Sequence, residues 1–204
     1  MTASTPDHWD AAYAAGHESR GWFQAHAVLS QVFIRDTALP RDTAILDVGG
    51  GASVLVDDLL EEGYRDITVL DHSPVGLEVA RQRLGARADE VTWVVADLRD
   101  WDPPRTYGIW HDRAVLHFLL EEDEVAAYRR TLTAATAPGS WAVIGVFGPD
   151  GPAVCAGLPV RQYDDSDITE ALGPEFEIVT TTYADHVRPD GDVQQYLWAL
   201  ARRS

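Results

Sequence analysis

The stretch Ala44-Ile45-Leu46-Asp47-Val48-Gly49-Gly50-Gly51-Ala52-Ser53 (AILDVGGGAS, residues 44–53) decides the fold. Its first half is apolar except for Asp47, the composition of a short strand buried on both faces of a parallel sheet. Three glycines end it. Lacking Cβ, they let the backbone turn sharply and come close to a ligand, although a glycine run alone is also compatible with a plain tight turn. Val54–Glu62 then carries Val54, Leu55, Leu59 and Leu60 at helical spacing. The stretch therefore reads as strand, tight loop, helix.

The same grammar repeats downstream. Ile67–Leu70 predicts a second strand, and Pro74 sits near the start of a helix striped by Leu77, Val79, Ala80 and Leu84. Val91–Val95 and Tyr107–His111 predict a third and a fourth strand. Glu121–Ala135 reads as a helix with acids in its first turn and Arg129 and Arg130 later, the arrangement the helix dipole favours. Pro138-Gly139 stops it, and Trp141–Phe147 is the fifth strand. After a short helix at Ser166–Leu172, Phe176–Val187 and Val193–Ala201 flank the turn signal Arg188–Asp192 (RPDGD), which makes a hairpin. Alternating strands and helices followed by a hairpin predict an α/β fold. It is a doubly wound, mostly parallel seven-stranded sheet with a C-terminal antiparallel hairpin and helices on both faces.

With 204 residues, no internal repeat and no linker, the chain reads as one domain. Its parts are an N-terminal helical cap (1–39), a core (40–147) and a segment of loop, helix and hairpin (148–204). One cysteine, Cys155, excludes an internal disulfide framework. The sequence shows neither a membrane-length apolar run nor a signal-like start, so a cytoplasmic protein is expected. The net charge is −17, and every one of the 16 basic residues is arginine. The absence of lysine removes Schiff-base and Walker-type chemistry. The acidic balance disfavours nucleic acid and suits a small molecule or, as a second choice, a basic protein.

In doubly wound sheets ligands lie outside the carboxyl ends of the strands. Asp47 stands at the end of the first strand, where a carboxylate suits a cationic ligand group. A dinucleotide fingerprint would need a small residue where Val54 stands. Asp71 ends the second strand, 22 residues after Gly49, at the spacing of an acid that accepts from ribose hydroxyls. Asp97 follows the third, placed to accept from an adenine amino group, with the Leu98 N–H reaching a ring nitrogen. Any one of these acids is compatible with a turn or an N-cap. Together, beside a glycine loop, they describe a nucleoside that carries positive charge and no phosphate.

The segments ILDVGGGAS (45–53), VLDHS (69–73), VVADL (94–98) and AVLHFL (114–119) resemble the class I, seven-stranded S-adenosylmethionine-dependent methyltransferases. That resemblance implies S-adenosyl-L-methionine as cofactor and S-adenosyl-L-homocysteine as product. It implies a cofactor site of Asp47, Gly49, Gly50, Gly51, Asp71, His72, Asp97 and Leu98, with Trp22 and His111 beside it. Gly49 and Gly51 would flank the methionine part, and Asp71 would hold the ribose.

The fourth strand's end, Trp110-His111-Asp112-Arg113, should face the transferred methyl. It lacks the Asn/Asp-Pro-Pro-aromatic motif of enzymes that methylate base amino groups, and Asp102-Pro103-Pro104-Arg105 reads as a turn. Ile109–Leu119 resembles the corresponding stretch of small-molecule thiopurine-type and tellurite-resistance-type methyltransferases. The expected function is methyl transfer to sulfur, nitrogen or oxygen of a small molecule. Two alternatives are a protein lysine methyltransferase of the same fold and a non-catalytic cofactor-binding module. The catalytic candidates are His111, Asp112, Arg113 and His117, with His186 a further histidine to test. Asp112 and Arg113 are expected to pair, or Arg113 to meet an anionic acceptor. Trp22-Phe23-Gln24 and the loop Gly151–Tyr163 are the expected walls, with Cys155 a packing residue. Scattered histidines give no metal-ligand spacing. No membrane partner is expected, and the oligomeric state is left open between monomer and weak dimer.

Overall fold

The computed structural model describes residues 5–16 and 18–204; the first four residues of the expected N-terminal cap, and His17, lie outside the described residues. Nine strands and six α-helices follow in the order α1 (Pro6–Ala14), α2 (Val28–Asp36), β1 (Ile45–Val48), α3 (Leu55–Glu61), β2 (Ile67–Asp71), α4 (Pro74–Leu84), β3 (Val91–Val95), β4 (Ile109–Arg113), α5 (Glu122–Ala134), β5 (Trp141–Phe147), β6 (Val154–Cys155), β7 (Leu158–Pro159), α6 (Asp165–Leu172), β8 (Phe176–Val187) and β9 (Val193–Arg203), counted among the described residues. Seven strands form one sheet in the order β3-β2-β1-β4-β5-β9-β8. The first five are parallel, and the β8–β9 hairpin closes the edge antiparallel to β5.

The strand order reverses between β1 and β4, where the ends of neighbouring strands part and leave a crevice. The register sets what meets there: Asp47 lies opposite Val69 on one side and His111 on the other. Successive side chains point to opposite faces. Along β4, Ile109 belongs to the core layer under α2 and α3, whereas Trp110 belongs to the layer under α5.

β4 runs from Ile109 to Arg113, two residues later than the sequence predicts, so His111, Asp112 and Arg113 stand within the strand. Ahead of the strand the Gly108 N–H donates to the Ala44 carbonyl at 2.9 Å, and a Cβ on Gly108 would press on Thr43. The loop Gly151–Tyr163 contains the small β6–β7 hairpin, which turns through Ala156 and Gly157, both at positive φ.

Three acidic anchors fix the layers that carry the crevice. Buried Asp58 on α3 accepts from Ala27 N, Gln31 Nε2 and His26 Nδ1, tying α2 and the segment before it to α3. Asp10 on α1 accepts from the Ser73 hydroxyl at 2.5 Å, and Ser73 in turn caps α4 by accepting from Gly76 N. Buried Asp112 accepts from Val115 N at 2.9 Å and Leu116 N at 3.1 Å and holds the turn after β4. Among the described residues no helix is long and apolar enough to cross a membrane.

Candidate active site

Two adjoining cavities open over the carboxyl ends of β1, β2, β3 and β4, and they share Trp9, Tyr13, Val48, Gly49, Ala114 and Phe118 as walls. The first spans about 680 Å³ with its open mouth included and is lined by Asp71, His72, Asp97, Leu98 and Arg99. The second spans about 750 Å³ with its open mouth included and is lined by Asp47, Gly50, His111, Arg113, Cys155 and the Trp22-Phe23-Gln24 segment.

The glycine loop divides them. Gly49 and Gly51 take φ of +64° and +45°, a region that L side chains avoid. A Cβ on Gly49 would run into Val115, and one on Gly51 into the Tyr13 hydroxyl. The loop is thus held open by the absence of side chains and covered by α1. Tyr13 is buried, its hydroxyl accepts from Ala52 N, and burial beside Asp71 raises its pKa well above the ordinary value.

Asp71, the last residue of β2, is 5% exposed and accepts from the backbone N–H groups of Ser73 and Gly51. Burial pushes its carboxyl up to about 7, and the nearby charges of Asp47 and Asp10 act in the same direction. His72 beside it is pushed down by burial. Asp97 is drawn into a bidentate pair: Arg99 donates to both of its oxygens from Nε, and also from Nη2 at 2.6 Å. Arg99 extends the clamp to Glu124. Arg99 keeps the Asp97 carboxyl below the ordinary range. The expectation of an acid at this strand end holds as a position in the cavity wall, but its oxygens already have a cationic partner. Only the two-residue spacing of Asp97 and Arg99 could have signalled that clamp.

Asp47 and His111 form the centre of the second cavity. The His111 ring lies 2.7 Å from Asp47 Oδ1 through Nδ1 and 2.9 Å from the Ser30 hydroxyl through Nε2. All three residues are buried. With Nδ1–H donating to Asp47, the Ser30 hydroxyl donates to Nε2, so neither ring nitrogen is left for an acceptor's proton. Asp47 Oδ2 is buried and has no hydrogen-bond partner among the described residues. A buried carboxylate oxygen in that condition costs on the order of 1–3 kcal/mol until a donor arrives. This tests what the site accommodates. A ligand ammonium would satisfy Oδ2, whereas a diphosphate over the glycines would face an unscreened carboxylate. The donor set fits a cationic nucleoside.

The other catalytic candidates separate. Asp112 points to the opposite face of β4 from His111 and Arg113, accepts from the Tyr128 hydroxyl as well as the two loop amides, and lines neither cavity. Burial pushes it up to about 6. The expected Asp112–Arg113 ion pair is therefore absent: strand alternation sends the two side chains apart. Arg113 instead donates to the Trp22 carbonyl at 2.9 Å and lies over the Tyr196 ring. His117 is fully buried behind the cavity wall; its Nδ1 accepts from Phe147 N, and burial pushes it down to about 3, so it is a neutral packing residue. His186 donates to the Gly21 carbonyl at 2.8 Å. Cys155 lines the second cavity with its thiol pushed up to about 11 by burial. Trp22 is edge-on to Trp9 and Tyr13, so the expected aromatic wall is assembled from the N-terminal segment. Among the described residues no group of three or more His, Cys, Asp or Glu side chains is placed to hold a metal ion. Ser30, Arg99 and Tyr128 were not legible as site partners; each is an ordinary helix or loop residue whose role comes from which strand the fold sets beside it.

Residues 45–139 match a family model described as a methyltransferase domain. Over 126 residues, or 61% of this chain, the sequence is 25% identical to the mouse (Mus musculus) eEF1A lysine and N-terminal methyltransferase, and the match spans 18% of that protein. One similar solved structure comes from work on the conversion of a disulfide bond into a thioacetal group during echinomycin biosynthesis; it has a TM-score of 0.79 and 21% identity over 98% of this chain and 93% of that one. Another is the 1,6-didemethyltoxoflavin-N1-methyltransferase of Burkholderia thailandensis, bound to 1,6-didemethyltoxoflavin and S-adenosylhomocysteine; it has a TM-score of 0.72 and 22% identity over 100% of this chain and 92% of that one. These likenesses bear on the fold.

Proposed function

We propose that this chain, a class I Rossmann-like S-adenosylmethionine-dependent methyltransferase by its matched domain and its sheet, methylates a nucleophilic sulfur, nitrogen or oxygen of a small molecule. The observation that carries the reading is the pair of joined cavities over the strand ends, one walled by Asp71, His72 and Leu98 and the other by Asp47, Arg113 and aromatic rings. Similar structures bound to S-adenosylhomocysteine support the choice of cofactor.

In this reading Asp71 accepts from the ribose hydroxyls, and Asp47 Oδ2 accepts from the ammonium of the methionine part. Leu98, with Asp97 as its neighbour, borders the adenine. Gly49, Gly50 and Gly51 leave room for the chain between them. The cofactor supplies a methyl group already activated on a sulfonium. The protein's own task is to hold an acceptor in line with it and to exclude water, which can supply roughly 7–11 kcal/mol through proximity. Trp9, Trp22, Phe23 and Phe118 provide the dry wall, and aromatic faces favour a cation. His111 is bonded on both sides, so it acts as a positioning residue for Asp47. Among the described residues lining the second cavity His111 is bonded on both sides and Asp47 is assigned to the ammonium, so an acceptor that is nucleophilic without a base, such as a thiol or a neutral amine, suits the site best.

A second reading is methylation of a protein lysine. The curated relatives are named as eEF1A lysine methyltransferases, and a chain of net charge −17 would attract a basic protein. Incubation with radiolabelled S-adenosylmethionine separates the two: label in extracted thiols, amines or phenols supports the first reading. Label only in protein bands supports the second.

A further inference from the structure

Arg113 is the anomaly of the second cavity. Its Nη1 donates to the Trp22 carbonyl, but its Nη2 is buried and has no hydrogen-bond partner among the described residues. No carboxylate among the described residues lies within ion-pair distance of it, in a chain where 33 acidic residues stand against 16 basic ones. The side chains it touches offer no negative charge in exchange, and Asp47, which lines the same cavity, is bonded to His111 and makes no ion pair with it. The Tyr196 ring lies 4.9 Å from the guanidinium, and its hydroxyl is buried without a partner. The Cys155 thiol is protonated, and His186 spends its Nε2 on the Gly21 carbonyl. Arg188, the other cation acting on Cys155 and His186, is already neutralised by Asp190 at 2.7 Å and Asp192 at 3.3 Å, so Arg113 stands apart from it. Arg113 is half-buried as a whole, and its unpartnered Nη2, removed from water, is unfavourable until an acceptor or counter-charge reaches it. The arrangement also fixes where that charge must come from. Arg113 lines the second cavity and not the first, and its contacts run to β9 and the Trp22 segment, on the side of β4 away from β2 and β3.

Resting on the methyltransferase reading, we infer that the methyl acceptor is an aromatic carboxylic acid and that Arg113 is the residue that selects its carboxylate. The aromatic part would lie against Trp9, Trp22 and Phe118, which line the same cavity. The carboxylate would accept a charge-assisted hydrogen bond from the free Nη2 while Nη1 stays on the Trp22 carbonyl. Its charge would offset Arg113 beside a cationic methyl donor.

The experiment is binding and turnover on paired probes with the full chain. Calorimetry of benzoate and of methyl benzoate into the S-adenosylhomocysteine complex reads recognition without catalysis. Methyl transfer to thiosalicylate, anthranilate and salicylate, each against its methyl ester, reads selection. The wild type should bind benzoate at least tenfold tighter than the ester and show at least tenfold lower KM for the acids. Arg113→Gln should abolish that preference and Arg113→Lys keep part of it, with S-adenosylhomocysteine affinity within twofold in both. If Arg113→Gln fails to fold, Arg113→Lys carries the test through its reduced acid preference. Equal binding of acid and ester by the wild type overturns the inference. So does a variant that keeps the preference but loses tenfold or more in S-adenosylhomocysteine affinity, which would give Arg113 to the cofactor. Absence of turnover on every acceptor would count against the small-molecule reading, while the benzoate titration would still decide the role of Arg113.

Discussion

Asp47 and His111 face each other in register across β1 and β4, and one bond of 2.7 Å between them leaves the second oxygen of Asp47 buried without a partner among the described residues. The histidine thus spends itself on orientation and leaves the carboxylate to receive a ligand. Asp47→Asn keeps the shape and the bond to His111 but removes the charge. It should weaken S-adenosylhomocysteine binding by about 1.5–3 kcal/mol, a ten- to hundredfold rise in Kd by calorimetry. An unchanged Kd would take Asp47 out of the ligand's reach.

Removing the ring should act through Asp47 as well. His111→Ala is expected to raise the Kd for S-adenosylhomocysteine about tenfold, with kcat at saturating cofactor and acceptor reduced less than the affinity. The reverse split, with affinity intact and kcat lost, would make the histidine a base.

Asp71 predicts a pH dependence of a definite sign. Burial holds its carboxyl up to about 7 in the free protein, against an ordinary value near 4. The folded chain therefore keeps a proton that the unfolded chain releases, and this residue's contribution to stability falls as the pH rises from about 4 to 7. Binding runs the other way, because accepting from ribose hydroxyls needs the ionised form. Affinity for S-adenosylhomocysteine should fall by up to tenfold per pH unit below about 7 and level off above it. Titrations in buffers of different ionisation enthalpy should show proton release on binding near pH 6.5, absent in Asp71→Asn.

The fully buried carboxylate of Asp112 serves the turn after β4. Asp112→Ala would orphan the amides of Val115 and Leu116 and the hydroxyl of Tyr128. A loss of about 2–4 kcal/mol in urea denaturation is expected, at about 1–3 kcal/mol per buried group left unsatisfied. An unaltered midpoint would show that the loop finds other partners.

The fold was legible because it rests on periodicity. Short apolar runs, a glycine loop and helical stripes in between identify β1 to β5 and their order of appearance, and RPDGD marks the hairpin. The positions of Asp47, Asp71 and Asp97 were legible for the same reason, since each follows from where a strand ends. What those carboxylates touch was not. Arg99 claims Asp97 through a two-residue turn, and Ser30, far away on α2, reaches His111 only because α2 packs against β4 and β5. The Asp112–Arg113 expectation failed because neighbours along a strand face apart. Locating β4 two residues early hid that alternation.

The central claim is that carboxylates at the ends of β1 and β2 grip a sulfonium nucleoside and exclude a diphosphate. Calorimetry of the wild-type chain with S-adenosylmethionine and with NAD at the same pH tests it most directly. Saturable binding of S-adenosylmethionine, at least a hundredfold tighter than any binding of NAD, is the predicted result. Equal or tighter binding of the dinucleotide would contradict it.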